Sequence, residues 1–249
     1  MDCQRGQWML VPRIDQTAHA GDRRGSGGRR RPPIRPTTAV TGFPFRPARA
    51  VAQLKAADPA LATIIEAVGP FGMELKASRS LFGALAEAIV YQQLSNKAAA
   101  TIYSRVEALY PRATAGFAPR HILATPDERL RGCGLSRAKV LAMKDLAQRV
   151  ASGELPTLEQ AQGLADAELI ERLVKVHGIG RWSAEMFLMF RLGRPDVLPL
   201  DDYSLRKAYA KAFQKRTLPS PPALEKAGEK WRPHRTVASW YLWRALELP

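Results

Sequence analysis

Between Ala50 and Pro249 the apolar residues recur at spacings of three and four, and no run shows the two-residue alternation of β-branched side chains that marks a strand. The pattern predicts an all-α protein. Asp58 caps a helix that runs to Val68 and stops at Gly69-Pro70, and Ser80 caps the next, on which Leu81, Leu85, Ala88 and Gln92 share a face. Ser95 opens a third, with Ile102, Val106 and Leu109 inward and Tyr110-Pro111 as its stop. Thr125-Pro126-Asp127-Glu128 combines a capping oxygen, a proline where no amide bond is lost, and acids at the positive end of the helix dipole. Gly132 and Gly134 close the short helix it starts, and Ser136 begins another that reaches Val150. Asp166 caps a helix to Val176, His177-Gly178-Ile179-Gly180-Arg181 interrupts, and Trp182 to Phe190 resumes, apolar on nearly every side and so expected to be buried. Asp201 or Asp202 caps a helix to about Phe213, the prolines at 219, 221 and 222 mark a loop, and Thr236 to Leu248 form a closing helix rich in aromatics.

The first 49 residues break this pattern. They hold ten Arg, three Asp and no Lys, with Arg29-Arg30-Arg31 running into Pro32-Pro33, and too few large apolar residues to offset the entropy of ordering the chain. Residues 1–49 are therefore expected to form an Arg/Pro-rich disordered arm. Its arginines suit an organelle transit segment, whereas its single serine, Ser26, does not, and a mis-chosen translation start is the other reading.

Across all 249 residues, 38 Lys plus Arg face 23 Asp plus Glu, and the formal charge of +15 argues for a polyanionic partner. Only Cys3 and Cys133 are present, which excludes a disulfide framework, a four-cysteine zinc site and a four-cysteine iron-sulfur cluster. His19, His121, His177 and His234 are too scattered to suggest ligands, so no side-chain metal site is expected. No run of 18 apolar residues exists, and no membrane partner is expected.

The most informative stretch is Leu173 to Ala184, two helices joined by Gly178-Ile179-Gly180. Glycines there permit positive φ and let a ligand approach the backbone, and the second helix starts with free amides suited to a phosphate. Taken alone, the pair reads more simply as a helix end at Gly178 and a loosened turn at Gly180. A dinucleotide fingerprint is excluded, because no third glycine follows and no strand precedes.

With Leu198-Pro199-Leu200-Asp201-Asp202-Tyr203 some twenty residues on, the hairpin resembles that of the helix-hairpin-helix (HhH-GPD) DNA glycosylase superfamily, most of all its DNA-3-methyladenine glycosylase II branch. Ile89-Val90-Tyr91-Gln92-Gln93-Leu94-Ser95, Gly134-Leu135-Ser136-Arg137-Ala138-Lys139 and Trp231-Arg232-Pro233-His234-Arg235, leading to Trp240-Tyr241-Leu242-Trp243-Arg244, also match, so the likeness covers about residues 50–249. It implies a two-lobed fold with the active-site cleft between the lobes. One lobe would take residues 50–79 and 195–249, and the other residues 80–194, with the helix-hairpin-helix at 167–190.

The resemblance implies Asp202 as the catalytic carboxylate, placed to stabilise oxocarbenium charge and to orient or deprotonate a water; a plain N-cap role for Asp201 or Asp202 is the alternative. Trp182 stands where the strand-cleaving branches carry a Schiff-base lysine, which implies a monofunctional enzyme without lyase activity. Trp182, Tyr203 and Trp243 match base-pocket positions, where electron-rich rings suit a cationic alkylpurine, while Trp240 is expected in the core. Leu94 matches the intercalating position and is otherwise a core leucine at a helix junction; Gln93 is placed on the opposite strand. Gly178, Gly180 and Ser183 are expected to bind DNA phosphate, with a monovalent cation on the hairpin carbonyls as the one cofactor implied. His177 departs from the proline often found before the first glycine, and the N-terminal β-domain of some bacterial members is missing.

The expectation is thus excision of alkylated purines of the 3-methyladenine and 7-methylguanine type from double-stranded DNA by a monomer. It would act in the cytoplasm at the nucleoid if the source is bacterial, or in the nucleus if eukaryotic. A glycosylase for deaminated or etheno-adduct bases, and a non-catalytic DNA-binding module, are the alternatives.

Overall fold

A computed structural model of the protein describes residues 42–113 and 116–248. Most of the expected arm, residues 1–41, lies outside the described residues. Its last eight residues do not behave as an arm. Phe43 and Phe45 pack against one another at 5.1 Å and onto the core, and helix α1 (Pro47–Ala57) starts with its proline in the first turn, where no helical amide bond is lost. The boundary expected at Arg49 therefore falls inside a helix.

Among the described residues the structure is helical and contains no strand. Side-chain caps set most boundaries. Asp58 begins α2 (Pro59–Val68), Ser80 α3 (Leu81–Tyr91), Ser95 α4 (Asn96–Ala108) and Ser136 α7 (Arg137–Ala151), each accepting from an amide of the first turn. Between them lie α5 (Pro119–Ala124) and α6 (Asp127–Gly132). Thr125 does not cap α6: its hydroxyl donates to His121 O at 2.8 Å and meets the Tyr110 hydroxyl at 2.8 Å, leaving Pro126 as an N-cap without a side-chain bond.

After α8 (Leu158–Gly163), α9 (Asp166–Leu173) follows, with Ala165 as N-cap and Asp166 one residue inside. The helix ends three residues before the expected Val176. Then come α10 (Arg181–Phe190), α11 (Tyr203–Ala212), α12 (Pro221–Gly228), a 3-10 turn over Glu229–Trp231, and α13 (Arg235–Ala245). The proline loop expected around residue 220 is in fact a helix start, because Ser220 caps it and Pro221 and Pro222 occupy its first turn.

The helices pack in two groups. In one, α1 and α2 lie on α13, with α11 against both α2 and α13; in the other, α3 is the hub for α4, α7 and α10, with α5 and α6 on α7 and α9 on α10. A single hydrophobic core runs through both, from Leu54 and Leu61 to Leu146 and Leu188.

Residues 191–202 connect α10 to α11, and they are pinned in place. Arg235 grips Asp196 with Nε and Nη2 at 2.7 and 3.0 Å, and the Thr236 hydroxyl donates to Arg194 O at 2.6 Å and accepts from Val197 N at 3.0 Å. Leu198 packs so closely on Gly228 that a Cβ there would stand 2.6 Å from its Cδ2. These contacts explain why the Trp231 to Arg235 stretch matters far from the hairpin: it fixes the segment that delivers Asp201 and Asp202.

Candidate active site

The hairpin between α9 and α10 is set by its apolar and polar anchors together. Val176 and Ile179 are buried, Gly178 takes φ +78°, and Gly180 caps α10 in an extended conformation without a side-chain bond. Only Gly178 uses the left-handed region that favours glycine. A Cβ at Gly180 would meet nothing within 4 Å, so this face of the turn is open to an incoming group. Ser183, half-buried, sits in the first turn that follows. His177, in place of a proline, brings an extra amide, and Asp145 of α7 accepts it at 2.7 Å while also taking the Arg149 side chain. The substitution is compensated and the turn is not loosened.

Asp202 is the N-cap of α11, with its Oδ1 accepting from Leu205 N at 2.5 Å. Two indoles complete its surroundings: Trp182 Nε1 donates to Oδ2 at 2.7 Å and Trp243 Nε1 to Oδ1 at 3.2 Å. Donors from α10, α11 and α13 thus converge on one carboxylate that is 8% exposed, whereas Asp201 beside it is exposed. The N-cap role that sequence left open between Asp201 and Asp202 falls on Asp202, the residue the resemblance singles out.

The expected pocket aromatics divide. Tyr203 is 56% exposed beside Asp202, and Trp182 is half-buried with its indole on the carboxylate. Trp243 is 3% exposed and stacks on Phe190 at 6.3 Å, so it backs the carboxylate and presents no open face. Trp240 is in the core, edge-on to Phe71 at 4.9 Å. On the turn between α3 and α4, Gln93 is exposed at φ +58° and Leu94 is half-exposed, outside the core cluster. The core-leucine alternative for Leu94 does not hold.

Sequence reasoning missed Glu185. It is 3% exposed on α10, paired with Arg181 at 3.0 Å, and burial, together with repulsion from Asp201 and Asp202, pushes its carboxyl up to about 7 against the pull of Arg181. The signal was present as a lone acid in a helix otherwise apolar on nearly every side. A raised native value means that stability is fully present below the unfolded value of 4.5 and is lost as pH rises through about 7. Wild-type protein should therefore lose roughly 2–3 kcal/mol between about pH 5 and pH 8 that Glu185→Gln does not lose. Denaturant titrations of both proteins at the two pH values measure the difference, and parallel losses would rule out Glu185 as the source.

At 38% identity over 169 residues, covering 66% of this chain and 72% of the relative, the chain is similar to DNA-3-methyladenine glycosylase 1 of Schizosaccharomyces pombe. Among solved structures it resembles the S. pombe 3-methyladenine DNA glycosylase in complex with abasic DNA, with TM-score 0.68 and 35% identity over 80% of this chain and 97% of that one. It also resembles a DNA-3-methyladenine glycosidase from Bacillus halodurans, with TM-score 0.73 and 36% identity over 80% of this chain and 89% of that one. The family described as HhH-GPD superfamily base excision DNA repair protein matches residues 86–234, more than half of the sequence, and the chain belongs to that family.

Proposed function

We propose that this protein is a monofunctional DNA glycosylase that hydrolyses the N-glycosidic bond of alkylated purines in double-stranded DNA, with Asp202 as its catalytic carboxylate. The convergence of Trp182, Trp243 and the Leu205 amide on Asp202 carries this reading. Three N–H donors fix both carboxylate oxygens, so the group is oriented before substrate arrives. As the bond to the base lengthens, positive charge develops on the sugar, and a carboxylate beside it lowers the barrier and can take a proton from the attacking water. A purine alkylated at a ring nitrogen, as in 3-methyladenine and 7-methylguanine, is already cationic and leaves readily. Tyr203 and the face of Trp182 offer electron-rich surfaces to such a base.

The nucleotide must leave the stack to reach Asp202. Leu94 and Gln93, on the exposed turn after α3, are the side chains we assign to the vacated space, and Gly178, Gly180 and Ser183 at the start of α10 to a backbone phosphate. A monovalent cation at the hairpin, which the resemblance implies, would rest on backbone carbonyls. Gly178 O is already engaged by Gln92, which leaves its neighbours for that role.

Incubation with methylated duplex DNA should release free 3-methyladenine and 7-methylguanine and leave abasic sites. Binding without release would reduce the protein to a DNA-binding module, and release confined to hypoxanthine or ethenoadenine from defined duplexes would move the substrate to deaminated or adduct bases. Trp182 cannot form a Schiff base with the sugar. Borohydride should therefore trap no covalent protein–DNA complex, and a trapped complex would overturn the monofunctional assignment.

A further inference from the structure

The α3–α4 turn and the hairpin are 86 residues apart in sequence yet directly bonded. Gln92, the C-cap of α3, donates from Nε2 to Gly178 O at 2.8 Å, at the one hairpin glycine held at positive φ. From the other side Lys139 of α7 extends its ammonium beneath the same turn, donating to Val90 O at 2.6 Å and Gln92 O at 2.8 Å. These are the last carbonyls of α3, which have no helical amide left to accept from. The next residue, Gln93, sits at φ +58°, a conformation a non-glycine side chain holds only when its surroundings impose it. Leu94 follows directly. The hairpin is braced independently through Asp145, which accepts His177 N and lies on α7 as Lys139 does.

We propose that Gln92 and Lys139 are positioning residues that lock the apolar wedge at Leu94 to the phosphate-binding hairpin, so that wedge insertion and phosphate engagement occur as one rigid step. The proposal rests on the assignment of Leu94 and the hairpin to DNA contact given above. A wedge on a free turn would lose freedom on entering the duplex and would insert without regard to where the hairpin grips. Tied through Gln92 to the Gly178 carbonyl, it arrives at a fixed offset from the gripped phosphate, and its ordering cost is met when the protein folds. Lys139 supplies two of the three bonds and, being half-buried, does so with reduced competition from solvent.

The test is a double-mutant cycle on full-length protein, read with a duplex carrying one tetrahydrofuran abasic analogue flanked by 2-aminopurine. Fluorescence reports unstacking, and titration reports affinity. Leu94→Ala alone should abolish the fluorescence rise and weaken binding about tenfold. Gln92→Ala should also quench most of the rise, and adding Leu94→Ala to it should cost less than about twofold further, because an untethered wedge has little left to lose. Lys139→Met should mimic Gln92→Ala and Lys139→Arg should restore the rise, with thermal unfolding of each variant checking that it is folded. If Leu94→Ala leaves both signals unchanged, the wedge assignment fails and the lock fails with it. If Leu94→Ala acts but its effect is additive with Gln92→Ala, the wedge stands and the lock is overturned.

Discussion

Asp202→Asn is expected to lower base release by a factor of about 10³ or more, while affinity for an abasic-site duplex changes by less than about tenfold. The argument runs through the three bonds to the carboxylate. In the variant, Oδ1 can still cap α11 through Leu205 N and accept from Trp243, but the new amide then faces Trp182 Nε1 across the 2.7 Å now spanned by a hydrogen bond. Two donors opposed at that distance cost about 1–2 kcal/mol of stability, which thermal unfolding would register without unfolding the protein. The loss of rate is separate, since a neutral amide neither balances oxocarbenium charge nor takes a proton. Single-turnover release from methylated duplex DNA measures it. Unchanged turnover would move the chemistry to another carboxylate, with exposed Asp201 and buried Glu185 next in line.

The second large effect lies far from the hairpin. Asp58→Ala should cost about 3–5 kcal/mol of unfolding free energy at neutral pH. Its carboxylate caps α2 through Ala60 N and Leu61 N at 3.2 and 3.4 Å, and on its other oxygen it accepts from Trp231 Nε1 at 2.8 Å and from Lys230 Nζ at 2.9 Å. Trp231 is fully buried, so alanine leaves an indole N–H with no acceptor. Lys230 is half-exposed and water screens its share, so the cap and the indole carry most of the loss.

Burial alone would raise the Asp58 carboxyl, but the bonds from Lys230, Trp231 and Leu61 outweigh it and hold it below the usual 3.8. A lowered native value means that this stability is present above 3.8 and is lost as pH falls through the native value. The gap between wild type and Asp58→Ala should therefore narrow on acidification. Denaturant unfolding at pH 7 and pH 3 checks both points. A loss under about 1 kcal/mol at pH 7 would mean that Trp231 finds another acceptor.

The α-helical class and four caps, at Asp58, Ser80, Ser95 and Ser136, were legible because they rest on local chemistry, a short polar side chain before a helical apolar period. Thr125 shows the limit of that logic. It has a capping residue's chemistry, but the hydroxyl of Tyr110, fifteen positions away, claims it. Ser220 with Pro221 and Pro222 is the converse, a helix start whose local signals were all present but whose prolines read as a break.

Within the site, the hairpin and the Asp201-Asp202 pair were visible as residues and the resemblance pointed to Asp202, while the burial that distinguishes the two aspartates is set by neighbours remote in sequence. The tie from Gln92 to Gly178 and the backing role of Trp243 lie between residues remote in sequence. No local pattern encodes them.

That the donors to Asp202 come from both helix groups, Trp182 from one and Leu205 and Trp243 from the other, bears on the chain before it has finished folding. Until the two groups have docked, the donor set that orients this carboxylate is incomplete, whatever each group has formed by itself. The orientation of Asp202 is thus a property of the docked pair of helix groups and of neither group alone.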